Sequence, residues 1–341
     1  MDSLVCIMPG SLQFRTDKAP VLAEGQAILR IKRVGICGTD FHAFRGTQPF
    51  FEYPRIMGHE LAADVVEADT APGFRSGDPV TVIPYFSCGH CIACLSGRPN
   101  CCARLKVLGV HIDGGMSEYI SVPSASLVSS DGLSYDELAM VEPLSIGAHA
   151  VRRAGVSPGQ FVLVMGAGPI GLAVMDFVRI SGGIVIALEN NPQRLRFCKE
   201  KRKADFFLGV AETDPLEDIL DITRGQKPSV VMDATGNLEA IETGFHYLAH
   251  GGIYVLVGLQ KEDIRFSHPE FHKREATLMS SRNALRSDFE RVMAAIKDRR
   301  VVPGDYITHR YPFHTLAREF MTLLDPANGV IKALALLGDQ P

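Results

Sequence analysis

Apolar and polar positions change their period several times along this chain, and each change marks a different element. Residues 25–37, GQAILRIKRVGIC, and 60–69, ELAADVVEAD, read as strands, with Pro/Gly turns between strands such as DTAPGFRSGDPV at 69–80. Phe161 to Met165 is a short apolar run. It leads into GAGPIG, an apolar pattern of helical period follows to about Ile180, and GIVIALE then reads as a second buried strand ending at Glu189. Two more strands are predicted at SVVMDATG (229–236) and GGIYVLVGL (251–259), with a helical stretch from about Leu238 to Ala249 between them. Near the end, DFERVMAAIKDRRV has the i, i+3/i+4 apolar spacing of an amphipathic helix.

The order strand, glycine turn, helix, strand gives the GxGxxG at Gly166, Gly168 and Gly171 its meaning. The glycines permit a tight turn and let a pyrophosphate approach backbone N–H groups at a helix start, where Pro169 and Ile170 complete the motif. An acid about 20 residues on, Glu189, is placed to accept from the adenosine ribose hydroxyls and to repel a 2′-phosphate, so NAD is favoured over NADP. Arg194 dissents, since a guanidinium can meet that phosphate; its other reading is a place against the adenine face or solvent. Gly258 and Leu259 are expected near a nicotinamide. Asp233 reads either as a buried polar anchor or as a cofactor neighbour.

Composition narrows the class. The chain has 341 residues, 46% hydrophobic and 22% charged, with a net charge of −4, which describes a folded enzyme of roughly two domains. No Lys/Arg-rich block is present, so nucleic acid and anionic membranes are not expected partners. The N-terminal MDSLVCIMPGSLQF lacks a basic region followed by a long apolar core, and no stretch reaches about 18 uninterrupted apolar residues, so no membrane span is expected. A cytoplasmic location follows as the expectation, and there the eight cysteines point to metal or chemistry before disulfides.

Cys88, Cys91 and Cys94 stand at steps of three in SCGHCIACLSGRPNCC, and Cys102 follows eight residues later. Zinc takes a tetrahedron of thiolates, and short CxxC steps aim successive sulfurs at one centre. Cys102 is favoured as the fourth ligand over its neighbour Cys101. Four thiolates leave no open position, so this zinc holds a lobe together, residues 86–104. A second centre is assembled from three separate patches: Cys37 in GICGTDFHAFRG, His59 and Glu60 in YPRIMGHELAADVV, and Glu142 in AMVEPLSIGAHAV. Taken singly these are a core thiol, a satisfied histidine, a surface charge and a helix-start carboxylate near the dipole's positive end. Together, Cys37, His59 and an acidic oxygen form a mixed S/N/O set with room for water or a substrate oxygen, as catalytic zinc requires.

GICGTD, GHE, the four-cysteine loop, EPL and GAGPIG, in that order, resemble the zinc-containing medium-chain dehydrogenase/reductase (alcohol dehydrogenase) family, over nearly the whole chain. Glu142 and SSRN at 280–283 bring it nearer the sorbitol, L-idonate and L-galactonate 5-dehydrogenase branch than the ethanol-oxidising one. The resemblance implies an α/β fold: a doubly wound parallel-sheet (Rossmann) nucleotide domain at 144–283, inside a mainly β GroES-like catalytic domain at 1–143 and 284–341. It implies two zinc ions per chain, NAD as cofactor, and a homodimer or homotetramer. Cys37, His59 and Glu60 are then catalytic-zinc ligands, and Glu142 is either a fourth ligand or the partner of zinc-bound water. Thr39 passes the substrate proton on, His42 relays it to solvent, Asp40 is a supporting carboxylate, and Arg282 reaches the substrate. The implied activity is oxidation of a secondary alcohol in a polyol or sugar acid, with L-threonine or a simple secondary alcohol as the alternative. A non-catalytic cofactor-binding protein is the remote one.

Overall fold

In the computed structural model of the chain, residues 1–69, 73–201, 203–210 and 214–338 are described. The first part of the turn DTAPGFRSGDPV therefore lies outside the described residues. So do 339–341, at the end of the predicted catalytic segment. Two compact units are present, Met1–Glu142 with Leu285–Pro341, and Pro143–Ala284.

The first unit is built on a seven-stranded sheet. Its central strand, Gln26–Ile36, pairs antiparallel with Glu60–Ala68 on one side and Lys332–Leu336 on the other, and Tyr119–Pro123 also pairs with it. The register sets Gly35 opposite both Glu60 and Leu334. Alternate positions of the central strand, Leu29 and Ile31 among them, enter a core with Leu61, Val65, Val80, Phe320 and Ala333. Cys37 follows the strand directly and caps the short helix Gly38–Phe44, whose Asp40 carboxylate reaches back to accept from the Cys37 N–H at 2.8 Å.

The second unit holds six parallel strands in the order Phe206–Gly209, Ile184–Glu189, Phe161–Met165, Val230–Asp233, Ile253–Leu256, Thr277–Ser280. That is the 3-2-1-4-5-6 order of a doubly wound nucleotide-binding fold. The first strand spans the predicted Phe161–Met165, and the helix after the glycine turn runs Pro169–Ile180. Strands buried on both faces explain why they are nearly continuous apolar runs, Val162, Val185 and Val231 all being fully buried.

Two helices are shorter than their patterns predict. The one over DFERVMAAIKDRRV is Arg286–Lys297, and it stops because Arg299 enters the left-handed region at φ 55°. The other ends at Tyr247, where Leu248 turns to extended backbone with ψ 133°.

A Cβ added at Gly171 would come within 1.8 Å of the Gly166 carbonyl oxygen, whereas nothing lies within 4 Å of one added at Gly304. Gly171→Ala is expected to destabilise the fold by about 1–3 kcal/mol through overpacking. Gly304→Ala is expected to stay within about 0.5 kcal/mol of the parent; thermal unfolding of the two variants checks the contrast.

Candidate active site and metal centres

Cys37, His59 and Glu60 present their ligand atoms within 4.8 Å of one another. The central strand brings Cys37 to its end, and the antiparallel neighbour begins at Glu60 opposite Gly35, so one strand pair delivers all three. The absence of a side chain at Gly35 is what lets Glu60 in. A Cβ there would stand 2.0 Å from Glu60 Oε2.

Glu60 is fully buried and both its oxygens accept from Lys332 Nζ, at 2.7 and 2.8 Å. Lys332 also donates to the Ile36 carbonyl at 3.3 Å and is itself 2% exposed. Burial works against the charged ammonium, but Glu60, with Cys37 beside it, outweighs that and raises the Lys332 pKa above its ordinary value.

His59 is buried, and its Nδ1 has no hydrogen-bond partner; the buried Asp40 Oδ1 is likewise unpartnered. Burial opposes the imidazolium, yet the charges of Cys37, Asp40 and Glu142 prevail and raise its pKa. An unsatisfied imidazole nitrogen next to a thiol and a carboxylate, with a further carboxylate in electrostatic range, is the donor set of a metal centre and its supporting shell.

Glu142 is not a helix-start carboxylate. It is the eighth residue of the helix Tyr135–Ala154, which begins earlier because Ser134 and Glu137 cap it reciprocally: the Ser134 N–H donates to Glu137 Oε2 at 2.8 Å, the Glu137 N–H to Ser134 Oγ at 3.4 Å. Pro143 sits inside the helix and withholds one backbone donor there. The first turn is tied to the sheet by Tyr135 on Asp64 at 2.6 Å and by Asp136, which accepts from Arg33 at 2.8 Å and Arg310 at 2.9 Å. Glu142 is 4% exposed and accepts from the Tyr85 hydroxyl. Burial raises its carboxyl to about 7, Glu60 acts in the same direction, and His59 opposes both. Glu142 is outside the tight Cys37/His59/Glu60 group, and sequence reasoning missed Tyr85 and Lys332 altogether.

Thr39 and His42 lie three apart on Gly38–Phe44 and share a face; Thr39 is half-buried, while His42 is exposed and pairs through Nδ1 with Thr47 Oγ1 at 3.0 Å.

The four cysteines 88, 91, 94 and 102 also converge within 4.8 Å. Cys91 Sγ stands 3.5 Å from Cys94 Sγ and 3.9 Å from Cys102 Sγ. Ligand atoms of a tetrahedron with a metal–sulfur bond of about 2.3 Å are separated by about 3.8 Å, so the sulfurs fit zinc. Backbone N–H groups of Cys88 and Arg104 point at Cys102 Sγ, each at 3.3 Å. Hydrogen bonds from the Cys94 and Ala103 backbone hold the Cys91 thiol down to about 6, in its ligand form at neutral pH. Cys102 is buried and belongs to the cluster, whereas Cys101 is exposed and does not.

In the second unit, Gly166 takes φ 96° and Gly168 caps the helix Pro169–Ile180. Pro169 and Ile170 open that helix half-buried. Glu189 is 5% exposed and accepts from Ala167 N–H at 2.6 Å and Asn191 N–H at 2.8 Å, bracing the turn. The Arg194 guanidinium stands over the turn, 3.6 Å from where a Gly168 Cβ would be. Asp233 is a buried anchor: it accepts from the Thr235 hydroxyl and N–H and from Gly236 N–H. Gly258 is packed so closely on Gly236 that a Cβ would meet Gly236 N at 2.3 Å, while Leu259 is 65% exposed. Arg282 is exposed, two residues beyond the edge strand Thr277–Ser280.

The alcohol dehydrogenase GroES-like domain model matches residues 23–131, and the zinc-binding dehydrogenase model matches residues 169–298. L-galactonate-5-dehydrogenase of Escherichia coli K12 is 41% identical over 326 residues, 94% of each chain. The chain belongs to the zinc-type alcohol dehydrogenase family. Sorbitol dehydrogenase of Halalkalibacterium halodurans is 31% identical over 319 residues, 91% of this chain and 92% of that one. Among solved structures, an Escherichia coli CFT073 alcohol dehydrogenase (RspB) complexed with NADH superposes with a TM-score of 0.92 at 29% identity, over 99% of each chain. The protein is thus an oxidoreductase acting on a CH–OH group. No helix among the described residues of this dehydrogenase is long and apolar enough to cross a membrane.

Two outcomes follow. Cys102→Ser is expected to lower zinc content by one equivalent, while Cys101→Ser leaves it unchanged; elemental analysis of the purified variants decides. Lys332→Met leaves Glu60 buried without its cation and is expected to cost about 3–5 kcal/mol of stability. The second variant is read from the denaturant midpoint of metal-free protein, and adding Glu60→Gln should recover much of the loss.

Proposed function

We propose that this protein oxidises a secondary hydroxyl of a polyol or sugar acid, of the kind of L-galactonate, L-idonate or sorbitol, using NAD and two zinc ions per chain. The observation that carries the reading is the mixed sulfur, nitrogen and oxygen donor set of Cys37, His59 and Glu60, distinct from the closed four-cysteine cluster. The substrate class is supported by the 41% identity to an L-galactonate-5-dehydrogenase and by sorbitol dehydrogenases among the relatives.

In this reading residues 1–143 and 284–341 form the catalytic domain and 144–283 the NAD-binding domain. Cys37, His59 and Glu60 hold the catalytic zinc, with Glu142 as the further acid beside it; Cys88, Cys91, Cys94 and Cys102 hold the structural one. Zinc at the mixed centre supplies Lewis acidity that stabilises negative charge on the substrate oxygen. NAD supplies the hydride acceptor.

The chain's own residues bind, orient and move the proton. The Thr39 hydroxyl accepts the substrate hydroxyl's proton as it gives up its own, and the exposed imidazole of His42 hands a proton to solvent. Asp40, whose charge acts on His59, is the supporting carboxylate. Arg282 offers a planar fork of donors to the hydroxyl or carboxylate oxygens of the substrate. The backbone N–H groups at Gly166–Gly171 and the helix behind them receive the pyrophosphate, Pro169 and Ile170 included. Each Glu189 oxygen accepts one N–H and keeps lone-pair capacity for the ribose hydroxyls. Its charge disfavours a 2′-phosphate, so NAD is the preferred cofactor, with Arg194 lying along the adenine side and Gly258 and Leu259 beside the nicotinamide. A cytoplasmic homodimer or homotetramer completes the proposal.

The test is NAD reduction, followed at the nicotinamide absorbance, against polyols, aldonates, L-threonine and simple secondary alcohols. A stereospecific response to a sugar acid or polyol is expected, abolished by Cys37→Ala and weaker with NADP. Turnover confined to L-threonine or to alcohols without further hydroxyls overturns the substrate class.

A further inference from the structure

The four-cysteine loop grows out of a very short antiparallel ribbon, Tyr85–Phe86 with Lys106–Val107, in which Tyr85 faces Val107. Two-residue strands have little stability of their own. What closes the open end of this ribbon is the cysteine cluster: the Cys88 N–H, three residues after Tyr85, donates to Cys102 Sγ at 3.3 Å. The other end of the story is at the mixed centre. Tyr85 points its hydroxyl away from the ribbon to donate to Glu142 Oε1. Its ring lies edge-on to Phe289, a fully buried residue of Arg286–Lys297, with the centroids 6.4 Å apart. Nothing in the proposed reaction uses Tyr85.

We propose that Tyr85 is a positioning residue through which the four-cysteine lobe sets the Glu142 carboxylate at the Cys37/His59/Glu60 centre. The inference rests on reading that centre as the catalytic metal site. Glu142 is a long side chain at mid-helix beside Pro143, and the Tyr85 hydroxyl is a donor that fixes one of its oxygens. A hydroxyl delivered by a ribbon that the lobe holds shut makes the acid's position a consequence of lobe closure. The lobe is then more than a staple. Opening it frees the ribbon, withdraws the hydroxyl and releases Glu142 into other rotamers, even though no cysteine of the cluster belongs to the mixed centre.

The experiment follows release of zinc from fully loaded protein to a chelating indicator. The phase belonging to the mixed centre is the one that Cys37→Ala removes. Tyr85→Phe, which deletes only the hydroxyl, is expected to speed that phase about tenfold and to lower kcat/KM by a similar factor, the size of one lost hydrogen bond to a charged group. Opening the lobe with Cys94→Ser or, independently, Cys88→Ser is expected to speed the same phase, and combining either with Tyr85→Phe should add nothing further. A release phase in Tyr85→Phe within twofold of the parent overturns the proposal, as do effects that multiply in the combined variants. Glu142→Gln separates the two readings. If it too leaves the phase unchanged, the reading of the centre falls along with the proposal; if it alters the phase and Tyr85→Phe does not, the coupling through Tyr85 alone is wrong.

Discussion

The buried ion pair between Glu60 and Lys332 is the constraint on which the first unit turns. The two residues are 272 positions apart, on strands flanking Gln26–Ile36, and neither is more than 2% exposed. Such a pair adds little stability over a well-packed apolar pair, but each charge is very costly without the other. Register is therefore pinned. A slip of one residue between Gln26–Ile36 and Glu60–Ala68 would turn Glu60 to the opposite face, away from Lys332, and would carry His59 from Cys37 as well. The same geometry demands a glycine at position 35, because the carboxylate occupies the space a side chain would take. Strand pairing, ligand convergence and the closing of the sheet by the C-terminal strand are one condition seen from three sides.

The two cysteine-bearing sites divide the work by chemistry. Four sulfurs at tetrahedral separations close a sphere completely, which suits holding a loop whose own apolar content is slight: Ile92 and Leu95 are 84% and 76% exposed. The mixed centre is instead carried on the rigid elements of the sheet and on a helix clipped to that sheet by Asp136 and Tyr135. Precision is needed there, and strands and helices give it better than loops do. In the other unit the acid at the end of the second strand is also structural: Glu189 accepts from the glycine turn itself and braces it.

What could be read from the sequence follows the range of the interactions. The strand–turn–helix–strand run from Phe161 to Glu189 was legible because local period and glycine spacing specify it. The four-cysteine cluster was legible for the same reason, and burial then separates Cys102 from the exposed Cys101. For Glu142, singled out as an acid for the mixed centre, the alternative of a helix-start carboxylate falls because the capping signal stands earlier in the chain, Ser134 followed three residues later by Glu137. A helix whose first turn is anchored by two arginines and a tyrosine tolerates the proline after Glu142. Lys332 and Tyr85 carry no local signal at all. A lysine in an apolar strand and a tyrosine before a cysteine loop acquire meaning only when the sheet sets them against Glu60 and Glu142.

The partners of these two acids also differ in kind, and the difference bears on how a cation is held. Lys332 is charged and occupies both oxygens of Glu60. Tyr85 is neutral and donates to one oxygen of Glu142. Cys37, Glu60, Glu142 and the buried Asp40 gather around His59, and the Lys332 ammonium is set against them. The fixed ammonium offsets part of the negative charge gathered there. The neutral phenol orders the second acid without cancelling its charge. Exchanging the two partners would give a centre with the same residues and a different balance: Glu60 would lose the cation that makes its burial tolerable, and Glu142 would have both oxygens taken by an ammonium.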